Sequence, residues 1–555
     1  MRVLLRCDGG GLLGVGHVVR SLALAEAAVA AGHDVVVAGQ FEGSFLQGQL
    51  AAAPVEVVQL AASRPAATAM PSMPDTAVGD LQPFINLVRR LRPDVLHVDS
   101  YLASNRLREL VVSAGVETVA SNIDKIVMSN MEDGTFGRRP ADVVIDPTLG
   151  AELSSRPQDG STWLLRGSRY TPVRQRVIDA RQRAADDNGG GPVARSVLVV
   201  MGGTDPLGLA PVAVELLART GLALEVTAIA VGENAQRART AAEGSRLSLN
   251  VLAPVDDLAA MMSAHDLVIS AAGTSVWELC CIGVPTAVVW AVDNQREGYD
   301  RVVAAGAAIG LDGPGVGGDD RAVDLLRRAL TDSRVRADLV LAGRNVVDGL
   351  GAWRVVRTWE QALAVPSLPS PSLPSPQASQ IGAAALVARP ATLQDARQLW
   401  IWRNDPLTRA GSRSTAEVPW DDHLRWLTAS LNRTDLMLLV VEDAMGLVGT
   451  VRWDLVREQE GEPRGSREWE VSVTVAPDRR GRSMARPLLR AGEAALSERT
   501  SETTRSSGTP VTAYLAVVHS DNRASVRLFE TSGYVPDLPP DLAGFMRYRK
   551  TARVP

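Results

Sequence analysis

Lysine is nearly missing from this chain. Of 58 basic residues only Lys125 and Lys550 are lysines, which leaves little room for a Schiff-base or P-loop lysine. Cysteine is scarce too: Cys7, Cys280 and Cys281 are the only three. None is spaced C-x-x-C, so neither a structural zinc site nor a disulfide framework is expected, and a reducing, cytoplasmic setting fits. No apolar run reaches the roughly 20 residues that a spanning helix needs, and the apolar run at the N-terminus is too short for a signal peptide. No membrane partner is expected. The formal net charge of −5 argues against nucleic acid as the main partner. At 555 residues, 46% of them hydrophobic and 22% charged, the chain is a soluble, globular type with more than one core.

What is present is organised around Arg6-Cys7-Asp8-Gly9-Gly10-Gly11-Leu12-Leu13-Gly14-Val15-Gly16-His17-Val18-Val19-Arg20. A short apolar strand, Val3–Leu5, precedes the glycines. An alanine- and leucine-rich helical run, Val18–Ala31, follows them. Strand, glycine loop and helix aim free backbone N–H groups and a positive helix end at an anion. Glycines such as Gly14 and Gly16 allow close approach to a phosphate. His17 falls on the first helical turn, and Arg20 lies on the same face one turn later. Alone, the stretch is equally compatible with a plain tight turn.

The remainder of residues 1 to about 160 alternates strands (Val35–Ala38, Val95–Val98, Val143–Ile145) with a helix at Phe84–Leu91 and a loop from Ala61 to Thr76. Such alternation predicts a parallel sheet whose ligands lie beyond the strands' carboxyl ends. Asp99 and Tyr101, just past a strand, are candidates for the cleft that holds His17. In isolation Asp99 reads slightly better as a loop or cap carboxylate.

A second alternation begins near Ser196. Strand Val197–Met201 runs into Gly202-Gly203-Thr204-Asp205-Pro206, with further strands at Leu224–Val231 and Ser248–Leu252. Strand Leu267–Ser270 runs into Ala271-Ala272-Gly273-Thr274-Ser275, then a helix at Val276–Cys281, strand Thr286–Trp290 and Asp293-Asn294-Gln295. The helix after Gly273 offers its N-terminus to a phosphate, with Thr274 and Ser275 as added donors. Glu278, one turn on, could accept both hydroxyls of a ribose.

Four of these motifs occur in family order: Gly14–Arg20, Gly202–Pro206, Gly273–Glu278 and Asp293–Gln295. Together, with Asp348-Gly349-Leu350-Gly351-Ala352, they resemble the UDP-sugar hydrolases of pseudaminic acid biosynthesis over roughly residues 1–360. The transferase that makes peptidoglycan lipid II shares the glycine loops and the glutamate. The resemblance implies two Rossmann-like domains in a GT-B arrangement, at 1–160 and 161–365. It implies inverting, metal-independent hydrolysis of a UDP-2,4-diacetamido-2,4,6-trideoxyhexose, with His17 positioning or deprotonating the attacking water. It places Gly14, Gly16, Arg20, Asp99, Tyr101, Gly203, Gly273, Thr274, Ser275 and Glu278 around the UDP-sugar. Val255 and Leu258 would hold uracil, and Asn294 and Gln295 the sugar or diphosphate.

Residues 366–385 form a linker. Ser-Leu-Pro-Ser-Pro occurs twice in tandem, at Ser367–Pro371 and Ser372–Pro376. Such a segment is extended and semi-rigid, at roughly 3.1 Å per residue.

From 386 to 555 a third region begins. It has a helix at Thr392–Arg403, strands at Met437–Glu442, Gly449–Asp454 and Glu470–Val475, a helix ending at Leu496, and a strand at Val511–Val518. Arg480-Gly481-Arg482-Ser483-Met484-Ala485 before a helix is a cradle of exposed N–H groups for a pyrophosphate, flanked by arginines. With Asn522-Arg523-Ala524-Ser525 and Gly533-Tyr534 it resembles the GNAT acetyltransferases, an α+β fold. Ser483 stands where glycine is usual. Trp402-Arg403-Asn404 is similar to the amino-sugar branch. The resemblance implies acetyl-CoA as cosubstrate, held by Val473, Val475, Arg480–Ala485 and Asn522, with Glu470 as base. Phe529 stands where a tyrosine acid is often found, leaving Tyr514, Tyr534 or solvent to protonate the thiolate. His423 and His519 read as packing or surface residues.

The expectation is an α/β bifunctional enzyme that acetylates a UDP-4-amino-sugar and then releases UDP, with no metal. The alternatives are an inverting UDP-sugar glycosyltransferase with an appended acetyltransferase, or a UDP-sugar-binding scaffold.

Overall fold

The computed structural model describes the chain apart from residues 11–14, 61–81, 101–106, 109–110, 112–125, 135–136, 157, 187–192, 203–204, 206, 314–315, 317–319, 365–385, 444–445, 457–466, 508–510 and 553–555. The loop expected at Ala61–Thr76 and the proline-serine repeats therefore lie outside the described residues. Two compact units are present: one holds Met1–Glu152 and Arg156–Leu363, the other chiefly Ala364–Glu460 and Arg464–Pro555.

The first unit contains two parallel sheets. Its first sheet runs β1 (Arg2–Cys7), β2 (Asp34–Gly39), β3 (Glu56–Gln59), β4 (Val95–Asp99), β5 (Val127–Met131), β6 (Val143–Asp146) and β7 (Trp163–Arg166), in the order β3-β2-β1-β4-β5-β6-β7. The second runs β8 (Ser196–Val200), β9 (Leu224–Ile229), β10 (Leu247–Leu252), β11 (Leu267–Ala271), β12 (Thr286–Val289) and β13 (Ile309–Gly310), in the order β10-β9-β8-β11-β12-β13. Both sheets are doubly wound. Their switch points fall between β1 and β4 and between β8 and β11, where such sheets bind ligands. Strands covered on both faces are apolar at every position. In β8, Val197 and Val199 enter one core while Leu198 and Val200 enter the other.

The sequence reading omits β3, β5 and β7. Val127-Met128-Ser129-Asn130-Met131 carries two polar residues that would mark a loop, yet every one of its five positions is buried. Tertiary partners explain the polarity. Ser129 Oγ accepts a hydrogen bond from Trp359 Nε1 at 2.9 Å and pairs with His97 Nδ1 at 2.9 Å. Trp359 belongs to the helix Gly351–Ala364, which returns from the end of the second sheet to cover the first. The Asp348-Gly349-Leu350-Gly351 motif is the turn that makes this return. Gly349 has φ +85°, Asp348 accepts from Leu350 N at 2.9 Å, and Asp348 Oδ2 pairs with the fully buried Arg354 at 2.5 Å.

The second unit is a mixed sheet. Its strands are β14 (Val387–Pro390), β15 (Leu436–Asp443), β16 (Gly446–Val456), β17 (Arg467–Val475), β18 (Val511–His519), β19 (Val535–Leu538) and β20 (Phe545–Thr551), in the order β14-β15-β16-β17-β18-β20-β19. All pairs are antiparallel except β17 with β18. Alternation again sorts two cores. Met437, Leu439 and Val441 face one core, while Leu436, Leu438 and Val440 face the other. The helix expected to end at Leu496 continues to Ser507. Polar residues after Leu496 give no apolar signal, but no glycine or proline stops the helix before Gly508.

Candidate functional sites

Asp99 ends β4 at the first switch point and is 1% exposed. His17 Nδ1 lies 2.7 Å from Asp99 Oδ1. Arg20 binds the same carboxylate through Nε at 2.5 Å and Nη2 at 2.7 Å, then reaches Asp133 at 2.6 Å and 2.9 Å. Burial pushes the Asp99 carboxyl up. The Arg20 guanidinium and His17 overcome that and hold it well below the usual carboxylate range. Arg20 Nη2 also lies 3.1 Å from His17 Nδ1, but with the ionised Asp99 carboxylate nearer, the tautomer that carries its proton on Nδ1 and its lone pair on Nε2 is the one this pairing favours. The i, i+3 spacing of His17 and Arg20 on one helix is what lets both meet a residue that lies some eighty positions away.

Behind this triad, Asp8 ties the strand ends together. It accepts from Gln40 N at 2.9 Å and Ser100 Oγ at 2.6 Å, and it pairs with Arg6. Arg139 Nη2 donates to Ser100 O at 2.5 Å. Asp133 and Arg139 are absent from the sequence reading. The run Glu132-Asp133-Gly134 directly after β5 is the signal that would have flagged the first of them.

The second sheet meets this site through its own glycine turn. A Cβ added to Gly16 would stand 3.0 Å from Thr274 Cγ2, so the starts of helices Gly16–Ala30 and Ser275–Ile282 converge. Neither helix start has a side-chain cap, and its leading N–H groups are the donors that an anion takes up. Gln295 lies beside Gly273: its amide nitrogen would be 3.6 Å from a Cβ there, while its Oε1 accepts from Ala291 N at 2.9 Å. Val255 and Leu258 are partly buried against the core of the second sheet. Arg176, which donates to Asp256 O at 2.9 Å, bears on Glu278. Burial raises the Glu278 carboxyl, and Arg176 and Arg174 oppose the rise. Asp205 is a cap, accepting from Leu209 N and Ala210 N at 2.8 Å and 2.9 Å. Gly14, Tyr101, Gly203 and the side chain of Asn294 lie outside the described residues.

In the second unit β17 and β18 pair only from Arg467 to Glu470. β17 runs on to Val475 with β16 as its partner, so the two parallel strands part after Glu470. Val473 and Val475 lie on the unpaired stretch. The turn after β17 holds Gly481 at φ +74° and Ser483 at φ +57°; the serine occupies a left-handed backbone that costs a side chain roughly 1–2 kcal/mol. Met484 O starts the helix Ala485–Ser507 by accepting from Leu488 N, and Arg482 is exposed. Arg480 pairs with Asp405 at 2.6 Å and Thr408 at 2.7 Å. Asn522 caps helix Arg523–Thr531 by accepting from Ser525 N at 3.1 Å. Glu470 Oε1 accepts from Arg413 at 3.2 Å.

The expected tyrosines are both deep in the core. Tyr534 is fully buried, its hydroxyl 3.0 Å from Glu493 some two turns into the helix Ala485–Ser507. Tyr514 packs on Trp453, and burial pushes its phenol up to about 12. His423 is a packing residue whose Nε2 meets Ala396 O at 3.0 Å between Trp420 and Trp426. Trp402 is in the core and Asn404 clamps Val418. Among the described residues, no group of three or more His, Cys, Asp or Glu side chains is placed to hold a metal ion. Nor is any helix among them long and apolar enough to cross a membrane.

Comparison with known proteins separates the two units. Residues 197–313 match the glycosyltransferase family 28 C-terminal domain, and residues 385–535 match the acetyltransferase (GNAT) domain. The chain thus joins a sugar-nucleotide glycosyltransferase-like part to an acetyltransferase. Its fold is α/β, with two Rossmann-like parallel sheets and an α+β GNAT domain. It is similar to the spore coat polysaccharide biosynthesis protein SpsG of Bacillus subtilis, 27% identical over 253 residues, 44% of this chain and 71% of that protein. Among solved structures, MurG of Acinetobacter baumannii aligns at 16% identity over 65% of this chain and 99% of its own (TM-score 0.46). The putative acetyltransferase yncA of Salmonella typhimurium, solved with acetyl-CoA, aligns at 23% identity over 30% of this chain and 94% of its own (TM-score 0.24).

Proposed function

We propose that the protein acetylates the 4-amino group of a UDP-linked trideoxy amino sugar and then hydrolyses the product, UDP-2,4-diacetamido-2,4,6-trideoxyhexose, to free sugar and UDP. The observation that carries the hydrolase half is the convergence of two uncapped helix starts beside the His17–Asp99 pair. The helix starts suit a diphosphate. His17 Nε2 takes a proton from water, and the water oxygen bonds to the anomeric carbon from the face opposite UDP. The bond from that carbon to the β-phosphate oxygen breaks, and the backbone N–H groups hold the charge that leaves. The similarity to a protein named for spore coat polysaccharide biosynthesis supports a sugar substrate.

In the acetyltransferase half, acetyl-CoA would lie on the Arg480–Ala485 turn with its thioester in the gap between β17 and β18. Glu470 takes the proton that the substrate ammonium sheds. The nitrogen bonds to the thioester carbonyl carbon, the carbon–sulfur bond breaks, and the thiolate takes up the second proton. With Tyr514 and Tyr534 in the core, solvent is the proton carrier.

The match to the glycosyltransferase family 28 domain favours a second reading in which an acceptor hydroxyl replaces water. One assay separates the two. The protein is incubated with the 4-amino UDP-sugar and acetyl-CoA, without acceptor, and products are read by mass spectrometry. Acetyl transfer followed by UDP and free sugar is the expected result. Acetyl transfer without UDP release points to glycosyl transfer.

A further inference from the structure

The Glu470–Arg413 pair stands at the point where the strands part. Trp469 and Val471 face the core beneath the helix Ala485–Ser507, so alternation puts Glu470 on the opposite face of the sheet. The segment from Asp405 to Arg413 spans the gap on that face and is anchored at three places. Asp405 and Thr408 hold Arg480 of the acetyl-CoA turn. Gly411 lies against Asn522, whose amide nitrogen would be 2.9 Å from a Cβ there. Arg413 reaches Glu470. Arg413 and Glu470 remain 64% and 31% exposed, and among the described residues Glu470 is the only partner of this guanidinium.

We infer that Arg413 is the residue that selects a nucleotide-linked amine, by exchanging partners when the substrate binds. The guanidinium occupies the position beside Glu470 that a substrate ammonium would take. An exposed ion pair of this kind contributes little and breaks readily. A UDP-amino-sugar carries a cation at its amine and anions at its diphosphate. The ammonium takes Glu470, and the displaced guanidinium, whose planar fork suits phosphate oxygens, takes the diphosphate. An amine without a phosphate displaces Arg413 and offers it nothing in return. The inference rests on the acceptor proposed above.

The test compares two acceptors on the full-length protein: the UDP-linked 4-amino sugar and the methyl glycoside of the same sugar. CoA release is followed with a thiol reagent. Arg413→Ala is expected to raise KM for the UDP-linked amine about tenfold while lowering KM for the methyl glycoside, because no guanidinium competes for Glu470. Arg413→Lys, which keeps the charge without the fork, should recover part of the lost affinity. Equal shifts in KM for both acceptors would overturn the exchange and leave the acceptor assignment standing. A wild-type protein inert toward both amines would overturn the acceptor assignment and the exchange with it.

Discussion

Both units set an arginine against a carboxylate at their candidate sites, but they bury them differently. Asp99 and Arg20 have side chains 1% and 12% exposed. Glu470 and Arg413 are 31% and 64% exposed. The buried pair is a fixture: removing one partner would strand a charge, at a cost of about 3–5 kcal/mol. It is suited to holding an imidazole in one tautomer. The exposed pair is labile, which suits a position that the substrate must itself occupy. One residue chemistry serves two purposes, and burial decides which.

The sharpest way to break this comparison is His17→Ala. It should lower UDP release by about 10²–10⁴-fold while acetyl transfer by the same protein continues, as a paired UDP and CoA assay would show. Full UDP turnover in that variant would overturn the role of His17 in readying the water.

Asp99→Asn tests the buried pair. It should lower stability by about 3 kcal/mol in thermal melts, beyond any loss of UDP release. The sign with pH follows from the depressed carboxyl. Its stabilisation is complete above about pH 4, the unfolded value, and fades as pH falls toward the folded one. The variant should therefore show a flatter acid limb.

His97 gives a second, separable pH signal. Burial lowers its pKa to about 4. The unfolded state then binds a proton that the folded state refuses between about pH 6.5 and 4. Stability from this residue is complete above that window and falls by about 3 kcal/mol across it. His97→Gln should remove this dependence, measured as melting temperature against pH.

Gly16→Ala sharpens the convergence of the two helix starts. Its Cβ would meet Thr274 at 3.0 Å, so KM for the UDP-sugar should rise several-fold with little change in melting temperature. The smallest effect is expected from Ser483→Gly. Relief of the left-handed serine, less the entropy cost of glycine, should stabilise the second unit by about 0.5 kcal/mol.

Residues read correctly from sequence were those with a local reason for their identity. The steps from β1, β8 and β11 to the helices that follow them are legible, as are the strands β15 and β16. Ser129 and Asn130 are not. Ser129 is polar inside a buried strand because Trp359, far along the chain, satisfies it, and Asn130 because the chain folds back after β5 and brings Gly137 O and Arg139 to its amide. Asp348 stands among the motifs that carry the family resemblance, and its contacts shape a turn. The acidic run after β5 marks Asp133 as a strand-end carboxylate, but nothing near it in sequence says that Arg20 is its partner.

By itself, then, the amino-acid order determined three things: where strands and helices alternate, where glycine turns open onto helix starts, and where one sheet type gives way to another. Those follow from periodicity and backbone freedom, which act over a few residues. Only the tertiary structure decided that His17, Asp99, Arg20 and Asp133 share one carboxylate network, and that Arg413 rests on Glu470. Charge pairing acts through space, and its strength depends on burial, which no short stretch of sequence contains.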